Sequence, residues 1–377
     1  MRLLDPAQLD DATLQARDPA LAHFLREGAA AIGNVATRMG VLDTGSHLFP
    51  VSINDGNEAP GNCYVVSPLT TYTGYADYEL QQLGRPWLTG PLRLLSRGMG
   101  GWLQGASIDR LVQVNNWLLS TNIYPPDWDG SNLPAITRLL VQAFPGHAIG
   151  FRSLNRFSNP ALLDHLSALG YVAIPSRQVY LFDARTGEQA PFLRRHNSRL
   201  DATLLRRTPY RLVPGHELDD SDYPRLEQLY NLLYLDKYCP LNPHFSADWL
   251  RCGQRDGWLE LTALRHPQGR IDGVLGWFAN SHTLTAPVVG YDTSLPQPLG
   301  LYRLITRLCL QEAVRRRSVL NFSSGAAHFK RLRGGVPEIE YSMVYVRHLP
   351  PRQQRAWRVL GQLLHAVGVP VMRRLKL

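Results

Sequence analysis

Cysteine is scarce in this 377-residue sequence: Cys63, Cys239, Cys252 and Cys309 stand far apart, with no Cys-x-x-Cys spacing. That argues against a disulfide framework and a structural zinc site, and fits a reducing cytoplasm. No stretch approaches the ~18 apolar residues that a membrane span needs. The first thirty residues hold Asp5, Asp10, Asp11 and Asp18 instead of an apolar core with a cleavage site, so no secretory leader is expected. The twelve histidines form neither His-x-x-x-His nor His-Glu-x-x-His, and no metal is expected. Gly-x-Ser-x-Gly is missing too, which removes the nucleophile elbow of Ser-His-Asp hydrolases.

What is there is a globular balance, 44% apolar and 19% charged, in a chain long enough for about two domains. The formal charge of +9 attracts polyanions: nucleic acid, anionic lipid, an acidic carrier protein or coenzyme phosphates. The arginines are scattered and no aromatic-interleaved basic motif occurs, so nucleic acid is the weaker choice, tRNA staying open.

Asp18-Pro19 opens a predicted helix running to about Met39. Strands are predicted at 47–54 and 63–71, a helix over 105–120, a helix at 134–143, a strand at 148–154, a helix at 159–169 and a strand at 177–182. Residues 184–208 show little periodicity, and the boundary falls there, giving domains 1–190 and 191–377. The second half reads as a short strand at 210–213, helices at 222–234 and near 247–250, and strands at 258–265, 271–279 and 283–291. A helix at 301–317, a strand at 319–323, a helix at 326–332 and a strand at 340–346 complete it. The tails of the two halves can be laid on each other: Gly170 and Val179-Tyr180 recur as Gly335 and Val344-Tyr345 with one offset of about 165 residues, a sign of duplication.

The segment from Tyr291 to Tyr302 joins a strand to a long helix, whose first amides favour phosphate. Its Gln297-Pro-Leu-Gly300-Leu-Tyr302 resembles the pyrophosphate loop Gln/Arg-x-x-Gly-x-Gly/Ala of GNAT enzymes, departing at the last position, where Tyr302 would crowd the backbone. Leu320 to Gly335, with Asn321-Phe-Ser-Ser-Gly325 and Phe329-Lys330, resembles the strand–Gly–helix–Phe/Tyr-Lys–Gly signature of the Fem-type branch. That branch often carries two GNAT units.

The resemblance implies an α+β (mixed α/β) fold of tandem GNAT-like domains, each a mostly antiparallel central sheet flanked by helices. It implies acyl transfer from a thioester, acyl-CoA or an acyl carrier protein, to a small-molecule amine. Lys330 would stabilise an oxyanion or phosphate at the transfer site, beside Ser323 and Ser324. Gln297, Gly300, Leu301 and Tyr302 would hold the donor. A carboxylate that the family often has after this strand is missing at Asn321.

Acyl transfer also needs a base, for which Asp292 and His328 are candidates, and an acid for the departing thiolate, for which Tyr291 or Tyr345 would serve. Each has an ordinary alternative as a strand-end or turn residue. The loop with Tyr238, Cys239 and Asn242 sits where GNAT enzymes bind the acceptor, and Cys239 lacks the neighbouring base a nucleophile needs. His165 aligns with Lys330 and no Gln-x-x-Gly loop precedes the 134–143 helix, so the first half is expected to be non-catalytic. The tail from Pro351 is a basic amphipathic helix that either packs on its own domain or meets a membrane or an acidic carrier protein. Two rivals remain: an aminoacyl-tRNA-dependent transferase, as in the Fem branch, and a non-catalytic binding protein.

Overall fold

The computed structural model describes residues 1–5, 11–57, 61–82, 86–187 and 190–375. Twelve strands form one sheet: β1 (Arg2–Leu4), β2 (Arg38–Asp43), β3 (Leu48–Asn54), β4 (Leu111–Val114), β5 (Ala148–Asn155), β6 (Val172–Asp183), β7 (Arg211–Pro214), β8 (Glu260–Arg265), β9 (Ile271–Ala279), β10 (Thr283–Tyr291), β11 (Val319–Asn321) and β12 (Val336–Tyr345). Their order is β1-β2-β3-β4-β5-β12-β6-β11-β10-β9-β8-β7. Among the described residues only β4–β5 and β10–β11 pair in parallel; the other ladders are antiparallel.

Each half repeats one plan: a strand, helices, three antiparallel strands, a helix, a strand parallel to the previous one, a short helix and a last strand. The parallel pair needs a crossover, supplied by the Leu133–Ala143 helix in one half and the Leu301–Arg316 helix in the other. A left-handed serine follows each parallel ladder by two residues, Ser153 (φ 63°) after Phe151 and Ser323 (φ 60°) after Asn321. The fold is thus the tandem mixed α/β arrangement that the sequence implied.

The halves exchange their last strands. β12 lies between β5 and β6, and β6 lies between β12 and β11. Where the exchanged strands cross, Arg177 on β6 faces Glu340 on β12, with Nε 2.8 Å from Oε1. One insertion breaks the symmetry. Between β3 and β4 the first half carries the helices Thr70–Tyr75, Ala76–Gln82 and Pro86–Gly105, whereas β9 and β10 are joined by a tight turn.

Several local expectations are corrected. The 18–39 helix ends by Ala31, and Arg38–Met39 begin β2. Residues 63–67 form turns and 68–71 enter a helix instead of a strand, because Asn62 Oδ1 accepts from the Cys63 amide and Pro68 has no N–H to give a ladder. In 105–120, residues 111–114 are β4; all four are buried, so the apolar run carried no alternation to separate strand from helix. The supposed linker contains the His196–Arg207 helix, whose buried positions are the polar Ser198 and Asp201. Gly334, at φ 91°, is the left-handed helix end matching Gly170, and Gly335 is not. The C-terminal Pro351–Leu363 helix packs back, burying Ala356, Trp357 and Leu360, with Gly361 against Ala173 and Ile174 of β6. Among the described residues no helix is long and apolar enough to cross a membrane.

Candidate active site

The β10–β11 ladder stops at Thr285 opposite Asn321, and beyond it the strands part. On β10 a register shift between Thr285 and Val288 surrounds Pro287, which has no N–H. On β11 the chain turns away: Asn321 Oδ1 accepts from the Ser323 amide at 2.8 Å, and Ser323, Gly325 and Ala326 all hold positive φ. Such backbone is strained for Ser and Ala by about 1–3 kcal/mol each and persists where surrounding contacts enforce it. The gap is a cleft of about 160 Å³. Ala286 and Val289 of β10, Tyr302 and Thr306 of the following helix, and Ser323 and Ser324 line it from the second half.

Lys330 forms the floor. Its side chain is buried, and Nζ donates to the carbonyls of Phe322 (2.6 Å), Ser324 (2.6 Å) and Ser323 (3.3 Å). Burial pushes its pKa down to about 7, with Arg177 adding to the shift and Cys309 opposing it. Three carbonyls match the three donors of the ammonium, so Lys330 fastens the strained turn and has no donor left for an oxyanion.

The first half completes the cleft. Tyr64, Tyr75, Tyr78 and Glu79 come from the β3–β4 insertion, and Arg177 comes from β6. Arg177 Nη1 donates to Ser323 Oγ at 3.1 Å, and Nη2 to the Ser120 carbonyl and Thr121 Oγ1. Burial raises the Glu79 carboxyl to about 7, against the pull of Arg177. Sequence reading missed all of these. They lie some 150–270 residues before Lys330 and belong to no motif; the β3–β4 insertion and the exchanged strand β6 bring them to the cleft.

Of the nominated residues, Lys330, Ser323, Ser324, Tyr302, Tyr238 and Asn242 meet at the cleft. Tyr302 turns its ring into it, 4.8 Å from the Phe329 centroid, and so does not crowd the backbone of the helix start. Asn242 Nδ2 donates to the Tyr234 and Cys239 carbonyls, fastening the Tyr238 loop. Burial lifts the Cys239 thiol to about 11, which keeps it un-ionised.

The others lie elsewhere. Asp292 is outside the cleft: burial pushes its carboxyl up, but bonds from Ser294 and from Arg225 Nη2 (2.7 Å) outweigh it and hold it below the usual range. His328 is exposed, Tyr291 packs against Tyr302 at 6.0 Å, and Tyr345 stacks on His348. Gln297 is exposed on a one-turn helix. Gly300 (φ 67°) and Leu301 are buried, and Leu204 reaches within 2.6 Å of where a Gly300 Cβ would stand.

In the first half polar side chains cross the matching opening between β4 and β5. Arg152 Nη1 donates to the Val65 carbonyl and Asn116 Oδ1, and Asn116 Nδ2 donates to Ser52 Oγ. Counted back from the matching left-handed glycines Gly170 and Gly334, Leu166 corresponds to Lys330; it is buried in the core, while His165 is exposed.

Fold and cleft together define the GNAT class of transferases: a splayed parallel strand pair followed by a crossover helix, present in duplicate. Residues 188–331 match the family model described as Acetyltransferase (GNAT) domain. The structure of FemX superposes with a TM-score of 0.51 at 8% identity, covering 96% of this chain and all of its own length. A tandem GNAT protein from the clavulanic acid biosynthesis pathway covers 91% of this chain and 98% of its own (12% identity, TM-score 0.41). L-PGS from Bacillus licheniformis covers 61% and 79% (13% identity, TM-score 0.44). No curated protein matches the sequence.

Proposed function

We propose that this chain transfers an acyl group from a thioester, acyl-CoA or an acyl carrier protein, to an amine, in the cleft between β10 and β11. The observation that carries the reading is the parting of these strands after Thr285, which leaves the β10 edge facing the slot without a partner strand. An amide-bearing donor arm can lie along that edge as an added strand, with its carbonyl carbon inside. The amine attacks that carbon, the thiolate leaves, and the nitrogen's proton must go to a base before reaching the sulfur. Glu79 is the carboxyl within the cleft whose pKa lies near neutrality, and it takes that part. Lys330 and Arg177 act by fixing the Phe322–Ser324 turn and Ser323.

A second reading has support of its own. Leu204 covers Gly300 at the helix start where a coenzyme pyrophosphate would sit, and Arg206 and Arg207 stand exposed on the same helix as Leu204. Both features suit an aminoacyl-tRNA donor, with phosphates met at the surface.

Release of free thiol from an acyl-CoA and from a loaded carrier protein, each with an amine panel, tests the first reading; amine labelling from charged tRNA tests the second. Glu79→Gln should lower turnover about 10²-fold. An unchanged rate removes Glu79 from the mechanism, and inactivity with all three donors ends the proposal.

A further inference from the structure

Behind the cleft lies a second cavity of about 110 Å³, which shares Tyr64, Tyr75, Glu79 and Arg177 with it. Two acceptors in it lack a partner. Glu340 is 3% exposed; its Oε1 takes the Arg177 Nε bond and its Oε2 takes none. Gln113, also lining the cavity, is 2% exposed; its amide Nε2 donates to the Val66 carbonyl at 3.0 Å, and its Oε1 accepts from no described group. Buried acceptors are rarely left empty, because each costs the full desolvation of the group. Two of them lining one cavity ask for a donor.

The same cavity offers the opposite chemistry. Arg152 lines it and spends only Nη1, on the Val65 carbonyl (2.9 Å) and Asn116 Oδ1 (3.1 Å), and it has no carboxylate within ion-pair distance. Arg177 is matched by Glu340, and burial lifts Glu79, the other carboxyl lining the cavity, to about 7, so Arg152 leaves an excess of positive charge while Glu79 holds its proton. A lone ammonium would answer the acceptors and aggravate that excess. A lone carboxylate would answer Arg152 and leave the acceptors empty. A group carrying both fits both.

We infer that this cavity seats the α-amino-carboxylate head of a free amino acid, its ammonium on Glu340 Oε2 and Gln113 Oε1 and its carboxylate on Arg152. The inference rests on the proposed amine acceptor: with the head held here, the side chain is the part that reaches the cleft past Glu79.

Calorimetric titration of the full chain with L-lysine, L-glutamate and L-alanine tests it, with butylamine and butyrate as single-group probes. L-Lysine, whose side chain carries the amine, should bind with a Kd below about 1 mM, and each single-group probe at least about tenfold more weakly. Gln113→Leu and Arg152→Met should each weaken binding by about tenfold or more, with thermal melting confirming that the variants fold. The inference is overturned if no amino acid binds the unmodified chain, if butylamine or butyrate binds as tightly, or if folded Gln113→Leu binds unchanged. Amino-acid binding without transfer from any donor overturns the proposed function alone. Transfer to amines without amino-acid binding overturns this inference alone.

Discussion

Replacing Arg177 with methionine removes four hydrogen bonds at the strand exchange, to Glu340 Oε1, Ser323 Oγ, the Ser120 carbonyl and Thr121 Oγ1. It also strands the Glu340 carboxylate, 3% exposed and with no other partner for either oxygen. Breaking one member of a buried pair typically destabilises by about 3–5 kcal/mol, since the surviving charge keeps its desolvation cost and loses its compensation. The double replacement Arg177→Met/Glu340→Leu removes both charges and should recover most of that loss. Urea unfolding of the four proteins of the cycle, at constant m, gives the coupling energy directly. A single Arg177→Met variant within about 1 kcal/mol of the parent would refute the reasoning, because an unpaired buried carboxylate cannot be that cheap. So would a double variant no more stable than the single one.

Lys330, ordinarily near 10.5 and here about 7, is deprotonated in the folded state before the unfolded one. The unfolded chain therefore binds more protons between about pH 7 and 10.5, so this residue makes stability rise with pH across that window, by up to ~1.4 kcal/mol per unit. Lys330→Met should lose the rise, and equal unfolding free energies of the parent at pH 7 and 9 in urea titrations would contradict the shift. Gly300→Ala forces a side chain into φ 67° and against Leu204, at a cost of about 1–2 kcal/mol; adding Leu204→Ala should return part of it in thermal melts. Asp292→Asn loses a half-buried pair with Arg225 outside the cleft, so stability should fall while the pH–rate profile stays as in the parent. A displaced acidic limb would restore Asp292 as a base.

The second half was largely legible because its signals are local. The Gln268-Gly269 turn between β8 and β9, the apolar period of the Leu301–Arg316 helix and the Phe329-Lys330 motif each lie within a few residues. The cleft's second-half wall followed from them. The opposite wall did not. Glu79, Tyr75 and Arg177 gain meaning only through long-range pairing, and no periodicity announces a carboxyl made buried by a neighbouring half. The His196–Arg207 helix escaped for a related reason: its fully buried positions are Ser198 and Asp201, the latter held at 1% exposure by Arg303 and Arg333, and its apolar contact with the core is confined to Leu204 and Leu205.

The exchange of final strands also constrains how the chain can be made. During synthesis β5 and β6 emerge about 150 residues before β12, the strand that must lie between them. Until then both present open edges in the middle of what will be a continuous sheet, and open edges invite the wrong neighbour. The first half therefore cannot reach its finished form while still alone on the ribosome, and completion waits for the last hydrogen-bonded ladder. Severing the chain near residue 190 would leave each piece holding a strand that belongs, by its pairing, in the interior of the other.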